Sequence, residues 1–339
     1  MSTVLATPSY IKYESVAGYF LQDSNSTNDT TFNFMTTNFG LINRTYTSSS
    51  NGTTENQTQW ERFARHVWQL NAESDYGVEY KVSFIGRHGE GYHNTAESYY
   101  GTPAWNCYYS QMDGNGTVTW ADAQLTPNGI TQAQAVNAFW AKEITEQNIP
   151  TPQRFYTSPL SRCCATAALT FTGLTSPASQ PFIPEVKESL REWISGHTCD
   201  RRSNMSYIAA NYPTFTFEEG FQEVDPLWKA TFVETSSAQN ERSRSVLDDI
   251  FMNDPSTYIS ITTHSGEAAS IMSVSGHRPF SLSTGAVIPI LVRAETVTGR
   301  PPFPTWQPWT VISTCATPPP SPTPTTDEVQ SGARMMRIQ

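Results

Sequence analysis

The feature that most restricts what this chain can fold into is a repeated alternation of short apolar runs with helical stretches. "YKVSFIG" (80–86), "RFYTSP" (154–159), "TYISITT" (257–263) and "AVIPILVRA" (286–294) are brief, rich in β-branched and aromatic residues, and read as buried strands. "GITQAQAVNAFWAKEIT" (129–145), "SRCCATAALTFTG" (161–173) and "SGEAASIMSVSG" (265–276) read as helices. Strand followed by helix, several times over, needs crossovers that leave the strands parallel. The expected fold is therefore α/β, with three α/β/α layers around a mostly parallel central sheet. Of the 339 residues, 37% are hydrophobic and 12% aromatic, enough to fill the core of such a domain.

Around this domain, expected over 80–300, the sequence changes character. Residues 1–79 read as an N-terminal extension packing on the main domain, with the aromatic patches "GYF" and "TFNFMTTNFGL" lying across its surface. Within it, "TQWERFARHVWQLNAES" places Trp60, Phe63, Val67, Trp68 and Leu70 near helical spacing, and His66 reads as a structural residue of that helix. The long segment 197–256 interrupts the alternation, mixes aromatics with charge clusters, and is expected to be an inserted cap over a pocket. Residues 301–339 form a Pro-rich segment whose end, "TPPPSPTPTTDEVQSGARMMRIQ", cannot bury enough apolar surface to offset its ordering entropy; a disordered tail is expected there.

Charge excludes some partners. Lys plus Arg number 21 against 31 Asp plus Glu, and the net charge of −10 repels nucleic acid and anionic membrane at long range. An anionic ligand then needs a local basic pocket. No window offers about 18 consecutive apolar residues, and the N-terminal stretch lacks a basic flank with an apolar core, so a soluble protein without a signal segment is expected, and with the cysteines below a cytoplasmic one. The five cysteines form an odd set without a CxxC spacing, which suits reduced thiols. The sequons at Asn25, Asn28, Asn43, Asn51 and Asn56 point the other way, but they crowd into a Ser/Thr/Asn-rich stretch where chance matches are frequent.

Three of the expected strands end on cationic or proton-exchanging side chains. The first ends at Arg87 and His88, the second just before Arg162, and the third at His264. In an open α/β sheet, ligands bind beyond the carboxyl ends of the strands, so these groups share one rim, and each is followed by a helix N-terminus. Each residue alone has a bland structural explanation. Together they imply a pocket for a phosphate-like group.

The residues that carry this constellation resemble the histidine phosphatase superfamily, also called phosphoglycerate mutase-like. "RHGEGYHN" matches its Arg-His-Gly signature, "LTPNGITQA" the L-T-x-x-G-x-x-Q-A segment, "TSPLSRCCATA" S-P-L-x-R-x-x-x-T-A, and "LREWISG" L-x-E-x-x-x-G, in order across residues 80 to 296. "RHGEGYHN" and "GHTCDRRS" further resemble a fungal branch of phosphomutase-like phosphatases. The resemblance implies His88 as the nucleophile of a phosphohistidine intermediate, Glu192 as the acid, and a phosphate held by Arg87, Asn94, Arg162, Ser265 and a protonated His264. Glu90 is a competing acid, and His93 either contacts phosphate or braces its loop. Arg201 and Arg202, in the cap, are candidate substrate contacts. The chemistry agrees: a neutral imidazole with a pKa of about 6.5 is available as a nucleophile, and fixed arginine forks can hold the equatorial oxygens without a metal or other cofactor. "GHTCD" offers His197, Cys199 and Asp200 without a second ligand cluster, so no metal site is expected. The implied partner is a small-molecule phosphate ester and the implied activity metal-independent hydrolysis; a phosphomutase, or a binding or biosynthetic protein reusing the pocket, are the alternatives. One departure stands out: where the family has His-Gly at its late histidine, "THSGEA" puts Ser265 first and Gly266 second.

Overall fold

The computed structural model describes residues 8–46, 56–174, 180–301 and 307–319. Its strands are β1 (Ser9–Ser15), β2 (Val78–Arg87), β3 (Arg154–Thr157), β4 (Glu185–Val186), β5 (Thr216–Phe217), β6 (Phe232–Val233), β7 (Tyr258–Thr263), β8 (Val287–Thr298) and β9 (Thr310–Val311). Its α-helices are α1 (Gln59–Ala72), α2 (Tyr92–Tyr100), α3 (Thr102–Cys107), α4 (Pro127–Gln147), α5 (Ser161–Phe171), α6 (Met205–Asn211), α7 (Ser236–Asn253) and α8 (Ser265–Val274).

Seven strands form one sheet in the order β1-β8-β2-β7-β3-β4-β5. The run from β2 to β5 is parallel, whereas β8 is antiparallel to both β2 and β1. The sheet is thus the mostly parallel one that the alternation predicts, and its last long strand turns back. Alternation along β2 sends Phe84 to one face and Ile85 to the other. Ile85, Ile259 and Ile288 pack beneath α7 and α8 through Leu247, Ile250 and Ile271. Phe84, Phe155 and Leu291 pack beneath α1, α4 and α5 through Phe63, Trp140 and Phe171. Helices on both faces complete the three layers.

The N-terminal extension is more deeply embedded than its sequence suggests. Phe20 and Phe39 do not lie across the surface; both are fully buried and belong to the same core as Trp60 and Trp140. Each buried aromatic ring removes a large apolar area from water, and β1 adds an edge strand on β8. Trp68, grouped by spacing with the apolar face of α1, is instead 69% exposed. The stretch 236–253, inside the span expected to be inserted, is the helix α7 packed on α8. At the other end, β9 pairs antiparallel with β6, and Cys107 forms a disulfide with Cys315. From residue 320 on, the expected disordered tail lies outside the described residues.

The loop after β2 meets the start of α4 backbone to backbone. A Cβ on Gly129 would overlap the Glu90 carbonyl oxygen, and one on Gly89 would overlap the Gly129 carbonyl oxygen. Only hydrogen side chains let the two segments touch. Gly129→Ala is therefore expected to cost about 1–3 kcal/mol of stability, because backbone and not a flexible side chain must give way. Equilibrium denaturation measures this loss, and an unchanged midpoint would show that the contact is not required.

Candidate active site

Sheet order explains why distant sequence segments meet. Because β7 lies between β2 and β3, with Arg87 opposite Thr263 and Thr157 opposite Thr262, the carboxyl ends of the three strands sit side by side. Arg87 closes β2, His264 caps the start of α8, and Arg162 lies in the first turn of α5. Asp122 fixes that turn by accepting from the Ser161 backbone N–H at 2.8 Å and its hydroxyl at 2.7 Å.

His88 is 1% exposed. Its Nδ1 lies 2.7 Å from the carbonyl oxygen of Gly89, which can only accept, so Nδ1 carries the proton. Nε2 is left with its lone pair, and Arg162 Nε donates to it at 3.3 Å. The rings of His264 and His93 stand 5.0 and 5.3 Å from that of His88. Burial, and after it the Arg162 charge, pushes all three imidazoles well below their ordinary range. His264, expected to be protonated, is consequently held neutral at pH 7; its Nε2 sits 2.8 Å from Ser158 Oγ.

Arg162 is anchored by donating from Nη1 to the Cys199 carbonyl at 2.7 Å, with Asp200 Oδ1 3.7 Å from Nη2. Arg87 donates from Nη1 to the Leu282 carbonyl at 2.8 Å. Its Nε, and Nδ1 of His93, are buried without a hydrogen-bond partner, a cost the fold bears at this site. Asn94 accepts from the Gly91 N–H at 2.9 Å while bordering the same space. Glu192 accepts from the Trp193 N–H at 2.9 Å and from Ser265 Oγ at 3.3 Å. Burial raises its pKa above the ordinary carboxylic value, more than Arg162 and Arg87 lower it. The Ser-Gly order after His264 finds its reason here, since a Cβ on Gly266 would overlap the Glu192 carboxylate.

These groups border a cavity of about 470 Å³. Arg87, His93, Asn94, Arg162, Glu192 and Ser265 form one end, and His88 and His264 lie directly beneath it, behind the lining. The walls come from Trp105, Trp193, His197, Val233, Val311 and Ile312. Sequence patterns pointed to the segment that carries His197 and Val233 but not to the other walls. Trp193 follows the acid of the L-x-E-x-x-x-G segment and could have been found from it, whereas Val311 and Ile312 belong to the β9 ribbon, which has no motif.

Three site expectations are corrected. Glu90 turns away from the cavity and accepts from Thr126 Oγ1 at 2.6 Å, because its backbone is locked against α4. Arg202 is buried, with Nε on the Glu188 carboxylate at 2.8 Å and its other donors on the carbonyls of Ser203, Gln222, Glu223 and Val224. Arg201 pairs with Asp113 at 2.8 Å and lies over Trp228. Neither arginine borders the cavity. The expectation of reduced thiols fails for Cys107 and Cys315, though Cys163, Cys164 and Cys199 are free and buried. His197, Cys199 and Asp200 do bring ligand atoms within 4.8 Å of one another. Burial keeps the Cys199 thiol protonated, and Asp200 is engaged by Ser195 Oγ at 2.6 Å beside the Arg162 charge, so Cys199, through its carbonyl, and Asp200 hold Arg162.

Adjacent strand ends carrying an Arg-His pair, an arginine and a histidine, with a carboxyl at the same end of the cavity, mark an α/β protein whose site is built for a phosphoryl group. The chain belongs to the histidine phosphatase superfamily: the model of "Histidine phosphatase superfamily (branch 1)" matches residues 109–282, beginning after Arg87 and His88. A relative in Arthroderma benhamiae, "Probable phosphoglycerate mutase", is 48% identical over 295 residues, which cover 87% of this chain and 88% of that protein. "Phosphomutase-like protein 3" of Candida albicans is 34% identical, covering 68% and 71%. Among solved structures, a phosphoglycerate mutase from Thermus thermophilus aligns over 61% of this chain and 91% of its own at 19% identity, with a TM-score of 0.32. The family and its fungal relatives support phosphatase or mutase chemistry here. Among the described residues no helix is long and apolar enough to cross a membrane.

Gly266→Ala offers a direct check on the role of that glycine. The added methyl must displace the Glu192 carboxylate, the free end of a flexible side chain, so the melting temperature should hardly move while turnover of an alkyl phosphate falls at least tenfold. Retained turnover would show that the position of Glu192 is not critical.

Proposed function

We propose that the protein is a metal-independent phosphomonoesterase acting on small organic phosphates through a phosphohistidine on His88. The observation that carries this reading is the tautomer: the Gly89 carbonyl holds the proton on Nδ1 and leaves the lone pair on Nε2, which accepts from the Nε of Arg162, a residue that borders the cavity. Nε2 attacks phosphorus as the bond to the alcohol oxygen breaks, and the Glu192 carboxyl gives its proton to that oxygen. The Glu192 carboxylate then takes a proton from water, which attacks phosphohistidine and releases inorganic phosphate. Arg87, Arg162 and Asn94 hold the equatorial oxygens. Neutral His264 acquires its proton as the dianion arrives, because the added negative charge offsets the arginines that hold its pKa down. His93 and Ser265 complete this end, the former with its unpartnered Nδ1 and the latter by steadying Glu192. A mutase would instead keep water from its phosphohistidine and return the phosphoryl group to an alcohol.

The cytoplasmic location expected from the lack of a signal segment and from the cysteine set rested in part on reduced thiols. The Cys107–Cys315 disulfide weighs toward an oxidising compartment.

His88→Ala should abolish turnover of p-nitrophenyl phosphate and remove the acid-labile label left by a radioactive phosphate ester, while chelator leaves wild-type turnover unchanged. An active alanine variant would refute the nucleophile. Glu192→Gln should slow alkyl phosphates by about 10² to 10⁴ and spare an activated aryl ester, which leaves without a proton. The pH profile has a definite sign. A lowered His88 pKa keeps the nucleophile neutral below the usual imidazole range, and a raised Glu192 pKa keeps the acid protonated above the usual carboxylic one. Activity on alkyl esters should peak on the acid side of neutrality and fall as pH rises through the Glu192 pKa, a limb that Glu192→Gln should lack.

A further inference from the structure

The outer part of the cavity is poor in cations. Its lining arginines, Arg87 and Arg162, both stand at the phosphate end and are tied there by carbonyl oxygens. The arginines of the neighbouring wall segments are spent on other partners. Arg191 pairs with Asp225 at 2.6 Å, Arg202 with Glu188 at 2.8 Å, Arg242 with Glu234 at 2.8 Å and with Glu267 at 3.0 Å, and Arg201 with Asp113. No lysine and no further arginine borders the cavity among the described residues.

Carboxylates and aromatic faces take their place. Glu97 lies one turn beyond His93 and Asn94 on α2, borders the cavity and is partly exposed to it, with Thr102 Oγ1 donating to it at 3.0 Å. Asp200 borders the same space next to Arg162. Trp193, 45% exposed, presents an indole whose N–H is already given to the Glu234 carbonyl, so its ring face is the part left for a ligand. Indole faces attract cations, and a carboxylate just outside the arginine clamp repels a second anion. The net charge of −10 adds to that repulsion.

We propose that this pocket selects phosphate monoesters whose alcohol portion is neutral or cationic and discriminates against those bearing a second anionic group. The inference rests on the phosphatase reading for its turnover assay, and it departs from the names of the fungal relatives. A phosphoglycerate carries a carboxylate besides its phosphate, and beyond the arginine clamp the cavity meets that carboxylate with Glu97, with no arginine or lysine bordering it there among the described residues.

The test compares phosphocholine, 3-phosphoglycerate and p-nitrophenyl phosphate on the full chain at fixed pH. Wild-type kcat/KM should favour phosphocholine over 3-phosphoglycerate at least tenfold, with the ratio shrinking as salt is raised. Glu97→Lys should move the ratio toward 3-phosphoglycerate about tenfold, and Glu97→Gln part of the way. Equal or better use of 3-phosphoglycerate by the wild type, or a ratio indifferent to Glu97→Lys, would overturn the selectivity while leaving the phosphatase reading intact if p-nitrophenyl phosphate is hydrolysed. If no ester turns over, the phosphatase reading fails. The selectivity is then decided by thermal stabilisation of the wild type: a larger shift with phosphocholine than with 3-phosphoglycerate sustains it, and the reverse order refutes it.

Discussion

The contact between the loop after β2 and the start of α4 is the constraint on which the site depends. Two glycines remove the side chains that would separate the backbones, and the loop's polar groups are then satisfied from both sides. Gly89 N–H donates to Thr166 Oγ1 at 3.0 Å, Glu90 N–H to Gln132 Oε1 at 2.8 Å, and Thr126 N–H to the Glu90 carbonyl at 2.9 Å. A loop so fully bonded cannot rotate, and the Gly89 carbonyl it presents to His88 fixes the imidazole tautomer. A buried turn would otherwise leave unsatisfied backbone groups at a cost of a few kcal/mol. Here the same bonds that remove that cost aim the reactive nitrogen.

Electrostatics follow from the same burial. Two guanidinium groups and three imidazoles share a small volume, and the imidazoles respond by staying neutral. The site therefore holds less positive charge than its residue list implies. Carbonyl oxygens from Leu282 and Cys199 absorb part of what remains, which lets the arginines stay charged in a poorly solvated place. Glu192 faces the opposite pressure, since burial favours its neutral acid.

What the sequence revealed and what it hid divide along physical lines. Period-2 and helical patterns are local, so β2, β7, α4, α5 and α8 were legible within a few residues, and the strand-end rule carried Arg87, His88, Arg162 and His264 to one rim. Partner choice is not local. Arg201 and Arg202 looked like free cations because their partners Asp113 and Glu188 are fixed only by tertiary packing. Phe20 and Phe39 sit in a polar, turn-rich context that disguised their burial. Cys107 and Cys315 are 208 residues apart, a separation at which no spacing rule operates.

The wall made by β9 also sets an order of events during synthesis. Every strand of the main sheet precedes residues 310–315 in the chain, so the sheet, the Arg-His loop and both arginines can be in place before the ribbon with β6 exists. The β9 side of the wall is thus the last part of the cavity to be synthesised. Val311 and Ile312 complete the cavity only with this last segment, which the Cys107–Cys315 disulfide ties to the chain 208 residues earlier.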